Sequence, residues 1–148
     1  MQLTEHFSLA EFTQSDYALR NGIANIASPN IIGNLKFNAL GMEKVRALLG
    51  GPINISSGYR CPALNKAIGG SATSAHCLGF ATDFTCRKFG TPEAITIAIK
   101  NGGIQYDQLI CEGGVMGWVH ISFAPNMRQQ TLRALFNAKG KVSYRSFI

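Results

Sequence analysis

The 148 residues include only three histidines, and two of them stand where chemistry could be done. His76 lies in a small, polar stretch, Ser71 to Gly79, that reads as a loop. Asp83 follows in the run Phe80 to Cys86, which reads as a strand. His120 stands in the middle of Trp118-Val119-His120-Ile121-Ser122. With a strand's period of two, Trp118, His120 and Ser122 share one face and Val119, Ile121 and Phe123 the other, so His120 belongs to the less apolar side. Asp83 shares its side with Ala81, opposite Thr82 and Phe84. Two imidazoles and a carboxylate suffice for a catalytic zinc, which keeps three protein donors and an open fourth position. Zinc brings the pKa of water down to about 7. The spacing alone better suits two structural histidines and a capping aspartate.

The elements that must position these groups are legible in outline. Ser8-Leu9-Ala10-Glu11 has the capping-box pattern of a helix start. Ser28-Pro29 pairs an N-cap with proline at the first helical position. Ile31, Ile32, Leu35, Ala39, Met42, Val45 and Leu49 then recur at helical spacing until Gly50-Gly51-Pro52. Residues 16 to 27 read as a mixed connection. Ile53 to Ser57 alternates like a half-buried strand, Pro62 to Ile68 suits a short helix, and Thr91-Pro92-Glu93 opens another through about Asn101. Gln108 to Cys111 and Trp118 to Phe123 read as an antiparallel pair joined by the glycine-bearing segment 113–117. Helices first and strands later predict an α+β fold, and the length predicts one domain over 1–148.

The blocks Ser56-Ser57-Gly58-Tyr59-Arg60-Cys61-Pro62, Leu64-Asn65, Gly69-Gly70 and Ser74 through Asp83 resemble the zinc peptidases of peptidoglycan. These are D-alanyl-D-alanine carboxypeptidases, D,D-dipeptidases and the L-alanyl-D-glutamate endopeptidases of phage endolysins, whose fold the hedgehog signalling domain shares. The pattern S-x-H-x-x-G-x-A-x-D is met at every defined position from Ser74 to Asp83, and W-x-H at Trp118 to His120. The resemblance implies N-terminal helices packed on a small, mainly antiparallel sheet that carries the zinc site. It implies His76, Asp83 and His120 as the ligands of Zn2+. Arg60 would bind the substrate carboxylate or the oxyanion, for which a permanently charged, rigid fork of donors is suited. Ser74 would hydrogen-bond the substrate.

Several relatives carry Asp or Glu three residues before the last ligand, where this chain has Gly117. The acids are few. Glu5, Glu11, Asp16 and Glu43 lie in the N-terminal helical region and Glu93 caps a helix, which leaves Asp107 and Glu112. Glu112 ends the strand expected beside that of His120 and is the expected general base, with Asp107 starting the same strand. Cys77 would point away from His76 in an extended segment, and His6 reads as a surface or capping residue.

An apolar share of 46% with 15% charged residues excludes a disordered chain, and no apolar run reaches membrane length. The net charge is +6, and no acid follows Glu112, whereas Arg128, Arg133, Lys139, Lys141 and Arg145 do. Interspersed with Leu132, Phe136, Tyr144 and Phe147, these form no compact basic run, so a specific nucleic-acid arm is not expected and an anionic wall polymer is the better partner. Cysteines 61, 77, 86 and 111 contain no C-x-x-C pair and read as small, reduced hydrophobes. The N-terminus has neither the basic nor the apolar region of a secretory signal, and the resemblance to phage lysis enzymes implies holin-type release into the periplasm or wall. The expected function is a monomeric zinc hydrolase of the peptidoglycan stem peptide, an L-alanyl-D-glutamate endopeptidase first and a D-alanyl-D-alanine carboxypeptidase second. A non-catalytic wall- or protein-binding module on the same fold is the rival of another class, motivated by Gly117.

Overall fold

Each helix begins where the sequence offers a side-chain cap or a proline. In the computed structural model, which describes residues 1–148, Ser8 caps α1 (Leu9–Thr13), and Glu11 accepts from the Ser8 backbone N–H at 2.7 Å. Ser15 caps α2 (Asp16–Arg20), a helix inside the stretch read as a mixed connection. At five residues it is too short to show a helical period. Ser28 caps α3 (Pro29–Leu49), which ends at Gly50 in the left-handed conformation that glycine adopts without strain. Proline also opens α4 (Pro62–Ala67) and α5 (Pro92–Asn101).

Six strands form one sheet: β1 (Asn54–Ser57), β2 (Ala81–Thr85), β3 (Gln108–Glu112), β4 (Trp118–Ser122), β5 (Gln130–Phe136) and β6 (Val142–Ser146), in the order β1-β2-β4-β3-β5-β6. Every pairing is antiparallel except β3 with β5. The fold is α+β, with helices on one face of a mainly antiparallel sheet. Leu35, Ala39, Met42 and Val45 of α3 and Ile95 and Ile99 of α5 bury Phe84, Leu109, Val119 and Ile121 of the central strands. Phe7 and Phe12, with ring centroids 6.0 Å apart, join the same core. Asp83 and His120 are direct partners, as are His120 and Ile110, and Glu112 and Trp118. Directly opposed residues share a face, so these side chains lie on the side away from the helices. No helix is long and apolar enough to cross a membrane.

Two further features differ from the sequence reading. The basic tail is a β-hairpin, β5–β6. All of β6 is exposed, so its short alternation Val142-Ser143-Tyr144-Arg145-Ser146 is not backed by burial, and pairing with β5 holds it in place. The stretch Ser71–Gly79 is not all loop: Ala75–Leu78 makes a 3-10 turn closed by Gly79 at φ 82°. His6 bonds Glu43 of α3 through Nδ1 at 2.8 Å, which ties the N-terminal segment to that helix.

A bulge in β1 prepares the site. Ile55 pairs with Phe84 and Ser57 with Asp83, so one residue, Ser56, is extra. The chain then passes close against α1: Tyr59 N–H donates to the Phe12 carbonyl at 2.6 Å, and a Cβ on Gly58 would lie 2.5 Å from that oxygen and 2.7 Å from the Phe12 Cα. Backbone atoms cannot turn aside as a side chain can. Gly58→Ala is therefore expected to destabilise the fold by about 1–3 kcal/mol. Chemical denaturation followed by circular dichroism reads this; a midpoint equal to that of the parent would contradict the packing argument.

Candidate metal centre

His76, Asp83 and His120 come from three different elements: the 3-10 turn, β2 and β4. One ligand atom from each lies within 4.8 Å of the others. Ser74 caps the turn, accepting from the His76 backbone N–H at 3.2 Å, and Arg60 N–H donates to the His76 carbonyl at 3.1 Å. Asn38 of α3 donates to the carbonyls of Gly79 and Ala81 at 3.1 and 3.3 Å, which fixes the path from the turn into β2.

The tautomer of His76 follows from its neighbour. Nδ1 lies 2.6 Å from the Gly58 carbonyl, which can only accept, so Nδ1 carries the proton and Nε2 the lone pair. That Nε2 is buried without a hydrogen-bond donor and faces Asp83 Oδ2 at 3.3 Å. His120 Nδ1 lies 2.9 Å from Asp83 Oδ1, and the two imidazole centroids are 5.2 Å apart. A lone pair aimed at a carboxylate oxygen calls for positive charge between them. Burial pushes His76 below its usual 6.5, and Asp83 only partly opposes this, so a proton is poorly placed to supply it. Burial would raise Asp83, but its two imidazole neighbours, His76 first and then His120, outweigh it and hold the carboxyl well below its usual range. A divalent metal fits this donor set: a carboxylate, an imidazole with its outer nitrogen fixed by a carbonyl, and a second imidazole.

The three side chains lie at the floor of a cleft of about 840 Å³. Arg60, Ser74, Glu112 and Trp118 also line it. Arg60 Nε and Trp118 Nε1 are buried there without hydrogen-bond partners. Glu112 is half-buried, and its carboxyl is raised by burial and then by Asp83, with His120 and Arg60 pulling the other way. Asp107 is differently employed. It accepts from the backbone N–H, Nε and Nη2 of Arg128 at 3.0, 2.8 and 2.9 Å, and those bonds hold it below the usual carboxylate range. It is a buried structural anchor rather than only the start of β3.

Gly117 has a steric reason. The segment 113–117 folds back on the end of β3, and a Cβ at Gly117 would overlap the carbonyl oxygen of Glu112. No acidic side chain fits at that position in this loop. Glu93, read as a helix cap, lies in the first turn of α5 and pairs with Arg133 of β5 at 2.6 Å. The four cysteines are free thiols, with Cys86 and Cys111 buried. The far wall of the cleft, including Leu132, Val142 and Tyr144, was missed in the sequence. Its one available signal was the alternation Val142-Ser143-Tyr144-Arg145-Ser146.

Fold and site thus define a metallohydrolase-type centre on an α+β frame. The family model described as Peptidase M15 matches residues 5–122, and the chain belongs to that family of zinc peptidases. No curated protein matches the chain.

Two outcomes test the centre. Zinc is expected to raise the melting temperature of the parent protein but not of His120→Ala, which should hold no stoichiometric zinc after dialysis. Full zinc in that variant would remove His120 from the ligand set. In the metal-free protein, the unfolded chain takes up a proton at His76 below about 6.5 while the folded state, its pKa depressed, resists it. Stability present above that pH is therefore lost as pH falls from 7 towards 5, and His76→Gln should flatten this dependence in thermal melts.

Proposed function

We propose that the protein is a zinc-dependent hydrolase of the peptidoglycan stem peptide, acting as an L-alanyl-D-glutamate endopeptidase of the phage lysis type. The observation that carries this reading is the set of groups around the cleft: three metal-type donors on the floor, with the carboxyl of Glu112 and the guanidinium of Arg60 facing the same space. Family membership supplies the zinc and the peptide bond; the peptidoglycan substrate rests on the resemblance of the motifs. Residues 1–148 would act as one domain and as a monomer, reaching the wall from the cytoplasm through a holin-type pore.

His76, Asp83 and His120 would hold the zinc, which when bound supplies Lewis acidity to water and to the scissile carbonyl. Glu112 takes the proton of the attacking water and returns it to the leaving amine. Its raised carboxyl suits a base working near neutral pH. Asp107 is the poorer choice, because Arg128 already occupies both its oxygens and stabilises its charge. Arg60 stabilises negative charge on the substrate, at a carboxylate or at the developing oxyanion. The Ser74 oxygen accepts from His76 N–H, which leaves its own hydrogen for a substrate carbonyl.

The D-alanyl-D-alanine carboxypeptidase is the second reading, favoured by the match between a guanidinium and a terminal carboxylate. Against the non-catalytic module stands Glu112, which supplies a carboxyl to the cleft although Gly117 has none. Digestion of purified sacculi separates the readings. The endopeptidase releases new amino termini on D-glutamate, and a chelator abolishes the reaction. Free D-alanine would move the assignment to the carboxypeptidase, and intact sacculi with zinc-loaded protein would leave only the binding module. Glu112→Gln is expected to lower kcat by about 10²–10⁴-fold with zinc content unchanged.

A further inference from the structure

The hairpin β5–β6 lies beyond the residues that the family model matches, yet it builds one wall of the cleft. The sheet register says which of its side chains faces the centre. Glu112 is opposite Trp118. Cys111 runs beside Arg133 in the parallel pair, so the next residues along, Glu112 and Ala134, are neighbours as well. Ala134 is in turn opposite Tyr144. Trp118, Glu112, Ala134 and Tyr144 therefore form one row across the face that carries the metal-type donors. The third place in that row is a methyl group, buried at 6% exposure, over which a longer neighbour can lean. Tyr144 is 53% exposed and lines the cleft together with Asp83 and Glu112. Its phenol is raised by burial and then by the charges of those two carboxylates. Tyr106, the other tyrosine near this part of the sheet, has its hydroxyl engaged by Thr131 at 2.6 Å.

We propose that Tyr144 is a substrate-contacting residue, whose hydroxyl donates a hydrogen bond to a carbonyl or carboxylate of the peptide lying between Glu112 and the β5–β6 hairpin. The inference rests on the peptidase reading above and extends it to the substrate's far side. A phenol is a directional donor that stays neutral beside two carboxylates. An ammonium or guanidinium at the same place would pair with Glu112 and lower its basicity. Leu132 and Val142 share the face and give the peptide an apolar flank.

The experiment uses zinc-loaded full-length protein and a synthetic stem peptide, L-Ala-D-Glu-(meso-diaminopimelate)-D-Ala-D-Ala. Trp118 is the only tryptophan and lies in the same row, so its fluorescence reports binding. Titrations are made in a Glu112→Gln background so that peptide is not consumed. Adding Tyr144→Phe is expected to weaken binding about three- to tenfold, with zinc content and melting temperature unchanged. In the otherwise native enzyme the same change raises KM by a similar factor and moves kcat less than twofold. Equal dissociation constants with and without the hydroxyl would overturn the role of Tyr144, and hydrolysis by the parent in that case leaves the peptidase reading standing. Binding that responds to Tyr144→Phe without hydrolysis by the parent supports the contact and removes the peptidase reading. No binding of the peptide by the parent overturns both.

Discussion

Across 3.3 Å a buried imidazole lone pair faces a carboxylate oxygen, and most of the molecule is arranged so that neither can turn away. The Gly58 carbonyl holds the proton of His76 on the outer nitrogen. Gly58 is where it is because β1 bulges at Ser56 and then presses against the backbone of α1. Asp83 is placed by its register with β1 and β4, and His120 by its own place opposite Asp83. Like partial charges brought together in a site of low dielectric are stable only when a cation joins them. The frame thus holds in place an arrangement that a metal relieves.

The sheet divides the work between its faces. Phe84, Val119, Ile121 and Leu109 supply burial against α3 and α5, while their alternate neighbours Asp83, His120 and Glu112 face the cleft. The period of two makes this separation possible: Asp83 and His120 are each flanked in sequence by buried residues that hold their backbone. The ion pair of Asp107 with Arg128 works in the same way at the rim, anchoring the start of β3 to the segment that leads into β5.

The acid at the cleft shows how a local contact can bar a side chain from one position while the neighbouring strand supplies one. At Gly117, three residues before His120, the tight return of 113–117 leaves no room for any side chain. Glu112 is at the end of the neighbouring strand, opposite Trp118, and its side chain reaches the same space. The two positions are far from equivalent in sequence and adjacent in the fold.

The amino-acid sequence by itself determined the local structure that depends on near neighbours. Capping by Ser8 and Ser28, the helical period from Ile31 to Leu49, and the faces of the His120 strand all follow from contacts within a few residues. The motif from Ser74 to Asp83, with Trp118 to His120, likewise pointed to the cluster of His76, Asp83 and His120 and to the family. Tertiary structure alone decided what depends on long-range pairing. It made a hairpin of the basic tail, since exposed β6 carries no burial signal. It gave Asp107 to Arg128, excluded a side chain at Gly117, and put Tyr144 in a row with Glu112. Periodicity and capping are written in adjacent residues, whereas register and steric exclusion exist only once distant segments have met.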